Sequence, residues 1–283
     1  MTEGRCLCGA LHYQIDGPFI DVVHCHCSMC RKHHGTPFAT WAAAPLSGFR
    51  WLGDTSTLRT YQSSAKGHRD FCSVCGSVAP MLEEAAGMVI APAGNLTGDL
   101  GLRPTKHMFV GSKAAWYPIT DGLPQFEEYP PEFGMSATPR EPVAVPAGVT
   151  AGSCLCGDVA YEITGTPLRM YYCHCSRCRQ GRSAAHGANV FYQAAGFRWI
   201  RGADQVQDYA LPGAQFFGTA FCRRCGSEVP RVNVERNVVS VPAGSLDSDP
   251  GMAPNGHIFV DSKAPWFDIT DDLPQFAEMP PRR

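Results

Sequence analysis

Hydrophobic and polar residues alternate along several short segments of the chain. Residues 11–15 alternate in this way, and residues 159–163 repeat the pattern. A period of two is typical of a half-buried β-strand. Further short strand candidates, separated by Pro and Gly, are 38–41, 49–52, 58–61, 88–91 and 107–110. Only 28–35 and 176–183 indicate a brief helix, so the pattern predicts a mainly β protein.

The same pattern occurs twice along the chain. Residues 48–52 return at 196–200, and residues 71–77 return at 221–227, with two residues gained between Tyr209 and Phe221. A period of about 150 residues indicates tandem domains, since solenoid repeats are much shorter. We therefore predict a first module at 1–133, a linker rich in Pro, Ala and Val at 134–149, and a second module at 150–283. The full-length duplication and the short linker further predict that the modules pack as an internal pseudo-dimer.

Composition and charge narrow the class of protein. The chain has 283 residues, a formal net charge of -2 and a hydrophobic share of 44%. Near-neutral charge argues against nucleic acid as a partner. No segment approaches the ~20 apolar residues of a membrane span. The first residues lack the apolar region of a secretory signal, so we expect a cytoplasmic protein with no membrane partner.

Fourteen cysteines form two sets of seven with the same spacing, C-x-C, then C-H-C-x-x-C, then C-x-x-C. The first set is Cys6, Cys8, Cys25, Cys27, Cys30, Cys72 and Cys75, and the second is Cys154, Cys156, Cys173, Cys175, Cys178, Cys222 and Cys225. Because the cytosol keeps thiols reduced, these sets indicate metal sites rather than disulfides.

The first and last cysteine pairs of each set supply four thiolates, which complete a tetrahedral zinc site. Such a site would join the two ends of a module and contribute directly to its folding. The sequence therefore predicts structural zinc sites on Cys6, Cys8, Cys72 and Cys75, and on Cys154, Cys156, Cys222 and Cys225.

The middle three cysteines of each set leave one zinc position unassigned. Either a histidine closes the site, for which only His107 and His257 recur in both copies, or water or a ligand takes the position, as in catalytic zinc sites. His26 and His174 lie between ligand cysteines, and alternate side chains of an extended segment face opposite ways. We therefore expect both to point away from the metal.

A zinc ion held by three thiolates favours a soft fourth ligand. A small-molecule thiol would enter as its anion beside an electrophile, which suits addition of sulfur to a carbonyl or the reverse cleavage. The catalytic candidates are thus Cys25, Cys27, Cys30, Cys173, Cys175 and Cys178. Arg31 and Arg179 are candidates for a substrate carboxylate or for a structural salt bridge.

Three further residue pairs recur at matching positions of the two copies. Trp116 and Trp266 are predicted to be core residues, and Asp121 and Asp271 to be turn or cap residues. Lys113 and Lys263 are weaker candidates for contacting a substrate.

Together these residues resemble the glutathione-dependent formaldehyde-activating enzyme family, which includes centromere protein V. The resemblance covers almost the whole chain twice. It is carried by the segments 4–9, 25–31, 71–76 and 107–113 with Trp116, and by 152–157, 173–179, 221–226 and 257–263 with Trp266.

The resemblance implies a tent-like, all-β zinc fold in each module, with two zinc ions per module and about four per chain. It implies the structural and catalytic-type cysteine groups given above. The implied reaction is condensation of glutathione with formaldehyde to S-(hydroxymethyl)glutathione, so we expect a zinc-dependent carbon–sulfur lyase or synthase. The alternatives are a non-catalytic thiol-adduct carrier and, from centromere protein V, a scaffold, which the absence of a basic arm disfavours.

Overall fold

The computed structural model describes residues 1–65, 67–137 and 143–281. Residues 138–142 of the predicted linker lie outside this range. No helix among the described residues has the length and apolar character needed to cross a membrane.

The described part of the first copy contains eleven short β-strands. They are β1 Thr2–Arg5, β2 His12–Ile15, β3 Asp21–Cys25, β4 Ala39–Pro45, β5 Phe49–Trp51, β6 Leu58–Gln62, β7 His68–Cys72, β8 Met81–Glu83, β9 Met88–Pro92, β10 Lys106–Met108 and β11 Gln125–Phe126.

The second copy repeats this series of strands. They are β12 Thr150–Ser153, β13 Ala160–Ile163, β14 Arg169–Cys173, β15 Gly187–Tyr192, β16 Phe197–Arg201, β17 Val206–Ala210, β18 Gly218–Cys222, β19 Arg231–Asn233, β20 Val238–Pro242, β21 His257–Ile258 and β22 Gln275–Phe276.

Each copy folds into the same three sheets. The first has a three-stranded sheet β1-β2-β5, a hairpin β6-β7 and a six-stranded sheet β11-β10-β3-β4-β9-β8. The second has β12-β13-β16, β17-β18 and β22-β21-β14-β15-β20-β19. In both six-stranded sheets the strand before the three-cysteine segment pairs in parallel with the late strand that carries His107 or His257. The predicted mainly β fold with two tandem modules is confirmed.

Two α-helices occur in the described chain, α1 Ser28–His34 and α2 Ser176–Arg182. Each begins at a cysteine N-cap, Cys27 or Cys175, whose sulfur accepts a hydrogen bond from a backbone N–H three residues later. α1 ends at Gly35 in the left-handed conformation, with φ 67°, where glycine carries no steric cost. Both predicted helices are present.

Two local features refine the sequence predictions. The predicted strand 107–110 ends at Met108, because Phe109 is left-handed with φ 61° and a 3-10 turn follows. The extra two residues of the second copy lie in a hairpin turn, which spans 63–67 between β6 and β7 but 211–217 between β17 and β18. The insertion therefore lengthens a turn and leaves both sheets unchanged.

The two tryptophans predicted to be core residues are buried, but each in the core of the other copy. Trp116 packs with the cluster around Tyr161 and Tyr192 of the second copy. Trp266 packs with the cluster around Tyr13 and Phe38 of the first. Neither module core is therefore complete without a segment of the other copy.

Close backbone approaches join the two copies reciprocally. A Cβ on Gly94 would lie 2.1 Å from the backbone nitrogen of Ala184, after α2, and a Cβ on Gly244 would lie 2.3 Å from the backbone nitrogen of Thr36, after α1. Only glycine permits such contact, since real Cβ contacts are longer. Each helix end thus packs on the opposite copy.

One contact between the copies has no symmetric counterpart. The buried Nζ of Lys32 donates to Asp247 Oδ1 at 2.6 Å and to Ser153 Oγ at 2.9 Å. Burial lowers the pKa of Lys32, an effect that Asp247 opposes. In the first copy Thr97 stands where Asp247 stands in the second, and Gln180 stands at the position of Lys32, so this ion pair occurs once.

Candidate metal centres

The first and last cysteine pairs of each copy meet, as the spacing predicts. The sulfur atoms of Cys6, Cys8, Cys72 and Cys75 all lie within 4.8 Å of one another, and so do those of Cys154, Cys156, Cys222 and Cys225. Adjacent sulfurs are as close as 3.5 Å in the first group and 3.4 Å in the second. All fourteen cysteines are free thiols, so the disulfide alternative is excluded in this structure.

Backbone donors orient the sulfurs of these four-cysteine groups. The N–H of Leu11 donates to Cys6 Sγ at 3.3 Å, and Val159 does the same to Cys154 Sγ. Gly76, directly after Cys75, has φ 78°, and a Cβ there would lie 2.5 Å from the ring of Phe221 of the other copy. Both a left-handed turn and the absence of a Cβ are required here.

The middle cysteines also converge, in two groups of three. Cys25, Cys27 and Cys30 lie within 4.8 Å of one another by their sulfurs, and Cys173, Cys175 and Cys178 form the matching group. One cysteine ends a strand, the next is the N-cap and the third lies in the first turn of the helix. No His, Asp or Glu side chain joins either group within the described residues.

The chemistry of these donors fits a soft divalent cation. Hydrogen bonds from Cys25 and Cys30 hold the pKa of Cys27 well below its usual range, whereas hydrogen bonding to Cys27 raises that of Cys25. Likewise, hydrogen bonds from Cys173 and then Cys178 lower the pKa of Cys175 to about 3. One thiolate per group is thus stabilised by its neighbours, and full deprotonation requires a positive charge. Thiolate is a ligand that zinc accepts readily.

A buried hydrogen-bonded chain lies behind each three-cysteine group. His26 Nε2 is 2.8 Å from His107 Nδ1, and His107 Nε2 is 3.0 Å from Asp121. The second copy repeats the chain with His174, His257 and Asp271 at 2.8 and 3.0 Å.

The Asp121 carboxylate fixes the protonation along this chain. It requires a proton on Nε2 of His107, which leaves Nδ1 to accept from His26 Nε2–H. Burial lowers the pKa of His26 to about 3, so the ring is neutral and its Nδ1 is an acceptor without a partner among the described residues.

These hydrogen bonds bear on the fourth zinc position of each three-cysteine group, for which the sequence left either a histidine or an outside ligand. Both nitrogens of His107 already have partners, and His26 faces His107 rather than the sulfurs, as strand alternation predicts. Closure of the cysteine group by His107 or His257 is therefore wrong for this structure. The turn role expected of Asp121 is present, because its Oδ1 accepts from the N–H of Leu123 at 3.0 Å. Its pairing with His107 was missed, although the spacing of His and Asp recurs in both copies.

The other candidate side chains bind backbone oxygens. Arg31 Nε donates to the carbonyl of His26 at 3.3 Å, and Arg179 Nε donates to that of Ser262 at 3.2 Å. Lys113 Nζ donates to the carbonyl of Tyr117 at 2.9 Å, and Lys263 makes the matching contact with Phe267. In the described structure neither arginine forms the salt bridge considered from the sequence.

The carboxylates that end the two hydrogen-bonded histidine chains reach a small cavity between the copies. It is lined by Asp121 and Asp271 together with Tyr117 and Tyr172, among other residues. Nearby, Thr120 Oγ1 and Thr270 Oγ1 are 2.6 Å apart. The two histidine chains therefore end at a common boundary rather than at separate surfaces.

Two known proteins are similar to parts of this chain. An "uncharacterized lyase" of Schizosaccharomyces pombe (strain 972 / ATCC 24843) is 31% identical over 77 residues, which are 26% of this chain and 53% of that protein. The chain thus spans about half the length of this curated relative. A crystal structure of a Rhodobacter sphaeroides protein is 27% identical, covers 34% of this chain and 89% of that chain, and has a TM-score of 0.29.

A family model matches the chain in two consecutive regions. The model describes the glutathione-dependent formaldehyde-activating enzyme and matches residues 1–112 and 149–262. Each region contains one complete set of seven cysteines. Because these regions account for most of the residues, the chain belongs to the glutathione-dependent formaldehyde-activating enzyme family.

Proposed function

We propose that the protein is a zinc-dependent carbon–sulfur lyase or synthase that handles thiol–aldehyde adducts, such as S-(hydroxymethyl)glutathione formed from glutathione and formaldehyde. The observation that supports this most is the group of three cysteine sulfurs, found in both copies, which no further His, Cys, Asp or Glu of the described residues joins. The family membership and the lyase name of the relative support the same class of reaction.

The proposed reaction adds a thiol across a carbonyl. A sulfur–carbon bond forms, the carbonyl π bond breaks, and the thiol proton ends on the former carbonyl oxygen. A zinc ion bound at Cys25, Cys27 and Cys30, or at Cys173, Cys175 and Cys178, would favour the thiolate form of the incoming thiol. We propose one zinc for each cysteine group, about four per chain.

The chain's own residues position the cysteines for this role. The N–H of Cys30 donates to Cys27 Sγ at 3.4 Å and orients that sulfur. The hydrogen-bonded chain from Asp121 through His107 fixes the ring of His26, the residue between Cys25 and Cys27 in the sequence. Arg31 holds the carbonyl of His26. We assign His26 and His107 as positioning residues.

We further propose that the chain is an internal pseudo-dimer, built from modules at 1–133 and 150–283, that replaces a homodimer of single modules. The exchanged tryptophans and the reciprocal glycine contacts support this. Fourteen free thiols favour a reducing compartment, and we propose the cytoplasm.

The proposed activity is tested by mixing the zinc-loaded protein with glutathione and formaldehyde and following adduct exchange by NMR. We expect acceleration over the uncatalysed mixture, and its loss when Cys25 and Cys173 are both changed to Ser. Rates equal to the uncatalysed mixture across several thiols and aldehydes would remove the catalytic proposal. Saturable thiol binding without acceleration would instead show a carrier of thiol adducts.

A further inference from the structure

The two three-cysteine groups have the same backbone frame but different electrostatic surroundings. In the first copy, Arg69 Nη2 lies 3.9 Å from Cys30 Sγ. Arg69 Nη1 donates to the carbonyl of His68 at 2.8 Å and contacts Met81 Sδ at 3.8 Å. Its Nε is buried and has no hydrogen-bond partner among the described residues.

Arg69 faces no carboxylate. None of the ion pairs found among the described residues includes it. A guanidinium is always charged, and removing that charge from water is costly unless an anion accompanies it. The sulfurs of the first three-cysteine group are candidate anions for Arg69, with Cys30 Sγ at 3.9 Å. The unpartnered Nε leaves a further donor free.

The second copy has no cation at this position. Thr219 takes the place of Arg69, and its Oγ1 donates to the carbonyl of Cys75 across the boundary at 2.8 Å. Arg182, on the neighbouring helix, is paired with the buried Glu228. Arg31 and Arg179 occur in both copies, so they do not distinguish the groups.

The residues packed near the two groups differ as well. Tyr129 packs edge-on against Phe109 at 4.7 Å, beside the apolar cluster that contains Cys25 and Cys30. Burial raises the pKa of Tyr129 to about 12, so it remains a neutral hydroxyl near the sulfurs. Met279 stands at the matching position of the second copy and is 54% exposed. Cys175 is also more exposed than Cys27.

We propose that Arg69 makes the two three-cysteine sites unequal, so that the first site retains an anionic thiolate substrate and the second site, which lacks this cation, binds it more weakly. The proposal rests on the proposed function, since it concerns which site holds the thiol.

The charges at the two sites explain the difference. Three thiolates and one divalent zinc carry a single net negative charge, and a fourth thiolate adds another. In the first site the guanidinium offsets one of these charges at short range, in an environment partly shielded from water. In the second site Thr219 replaces Arg69, and Arg177, which stands where the first copy has Met29, is exposed to solvent. Water and salt screen an exposed charge, so the same addition is compensated less there. A neutral ligand adds no charge and gains nothing from Arg69.

The test uses cobalt-loaded full-length chains in which one three-cysteine group has been removed. The pair Cys173→Ser/Cys175→Ser leaves the first group, and Cys25→Ser/Cys27→Ser leaves the second. Each chain is titrated with 2-mercaptoethanol, which binds as an anion, and with imidazole, which binds as a neutral ligand, and the cobalt absorption bands are followed.

We expect the first site to bind 2-mercaptoethanol at least about tenfold more tightly than the second. In the chain that keeps the first group, Arg69→Met should remove this advantage and Arg69→Lys should keep part of it. The imidazole affinity of that chain should be the same with Arg69, with Met or with Lys at this position. A merely structural role for Arg69 would weaken both ligands together, which would overturn the proposal, as would equal thiol affinities at the two sites. If thiol binds to neither site, the proposed function itself fails.

Discussion

His26 and His107 are 81 residues apart in sequence, yet their rings are joined by a hydrogen bond of 2.8 Å. The pairing places a late segment of the module directly behind the Cys25-His26-Cys27 turn. Asp121, which is bound to the far side of the His107 ring, ends the chain at the boundary between the copies. The three-cysteine group is therefore positioned by residues that are far apart in the sequence of its module.

Removing the carboxylate at the end of this chain is predicted to loosen the first three-cysteine group. Asp121→Asn removes the charged acceptor of the buried His107, so we expect a loss of about 1–3 kcal/mol in the free energy of unfolding. We also expect weaker metal binding at the first group. Denaturant unfolding and competition with a chromophoric chelator measure the two effects.

Asp271→Asn is the matched control for this prediction. Its effect should fall on the second group, because Asp271 binds His257 in the same geometry. If both variants weaken the same group, or neither changes metal affinity, the positioning role is wrong.

The exchange of tryptophans predicts an effect in the opposite copy. Trp116→Ala should cost about 3–5 kcal/mol, as expected for a large buried aromatic residue. The loss of hydrogen-exchange protection should appear in β13, β15 and β20, which form the core that Trp116 enters.

Trp266→Ala should give the reverse result, with protection lost in the first copy. Loss of protection confined to the copy that carries the substitution would contradict the exchange and with it the internal pseudo-dimer.

The repeated cysteines and alternating strands were predictable because their signals are local. The spacing of a C-x-C turn and a C-x-x-C turn limits which sulfurs can meet, and a period of two specifies a strand face. The two-residue insertion was visible as a change in the sequence distance between matching residues of the two copies. The structure places it in a hairpin turn.

Other features could not be predicted because a pattern of buried positions does not say against what a residue is buried. Trp116 was identified as a core residue, but nothing in one copy's sequence indicates the other copy's core. Asp121 satisfied a local turn, which hid its second partner, His107. Arg69 does not recur, since Thr219 stands at its position in the second copy, so the repeat gives no signal for it.

Burial of His186 predicts a loss of stability in acid. Burial lowers its pKa to about 3, well below the ordinary value of about 6.5. Between these values the unfolded chain binds a proton that the folded chain does not, so stability is present above about pH 6.5 and falls as the pH is lowered. One such group contributes a loss of about 2 kcal/mol between about pH 7.5 and about pH 5.

His186→Phe tests this directly, since Phe38 stands at the matching position of the first copy. Urea unfolding at the two pH values should show an acid loss smaller by about 2 kcal/mol in the variant than in the parent chain. Equal losses would show that His186 is not responsible, because the cysteine groups are common to both proteins.

The two kinds of cysteine group should respond differently to the loss of one sulfur. Cys72→Ser removes a ligand from the group that joins the two ends of the first module, so we expect the free energy of unfolding to fall by more than about 3 kcal/mol. Cys30→Ser should cost less stability but abolish thiol binding at the first site. Metal content, thermal unfolding and thiol titration separate these effects, and equal destabilisation by both variants would contradict the division of roles.

We propose that each three-cysteine group accepts a sulfur from outside the protein. Cadmium NMR of the fully loaded chain, recorded with and without glutathione, tests it most directly, with S-methylglutathione as the control that lacks a thiol. We predict that glutathione shifts the resonances of the two three-cysteine groups, leaves those of the two four-cysteine groups unchanged, and that the control shifts none. Resonances that all stay in place when glutathione is added would contradict the account.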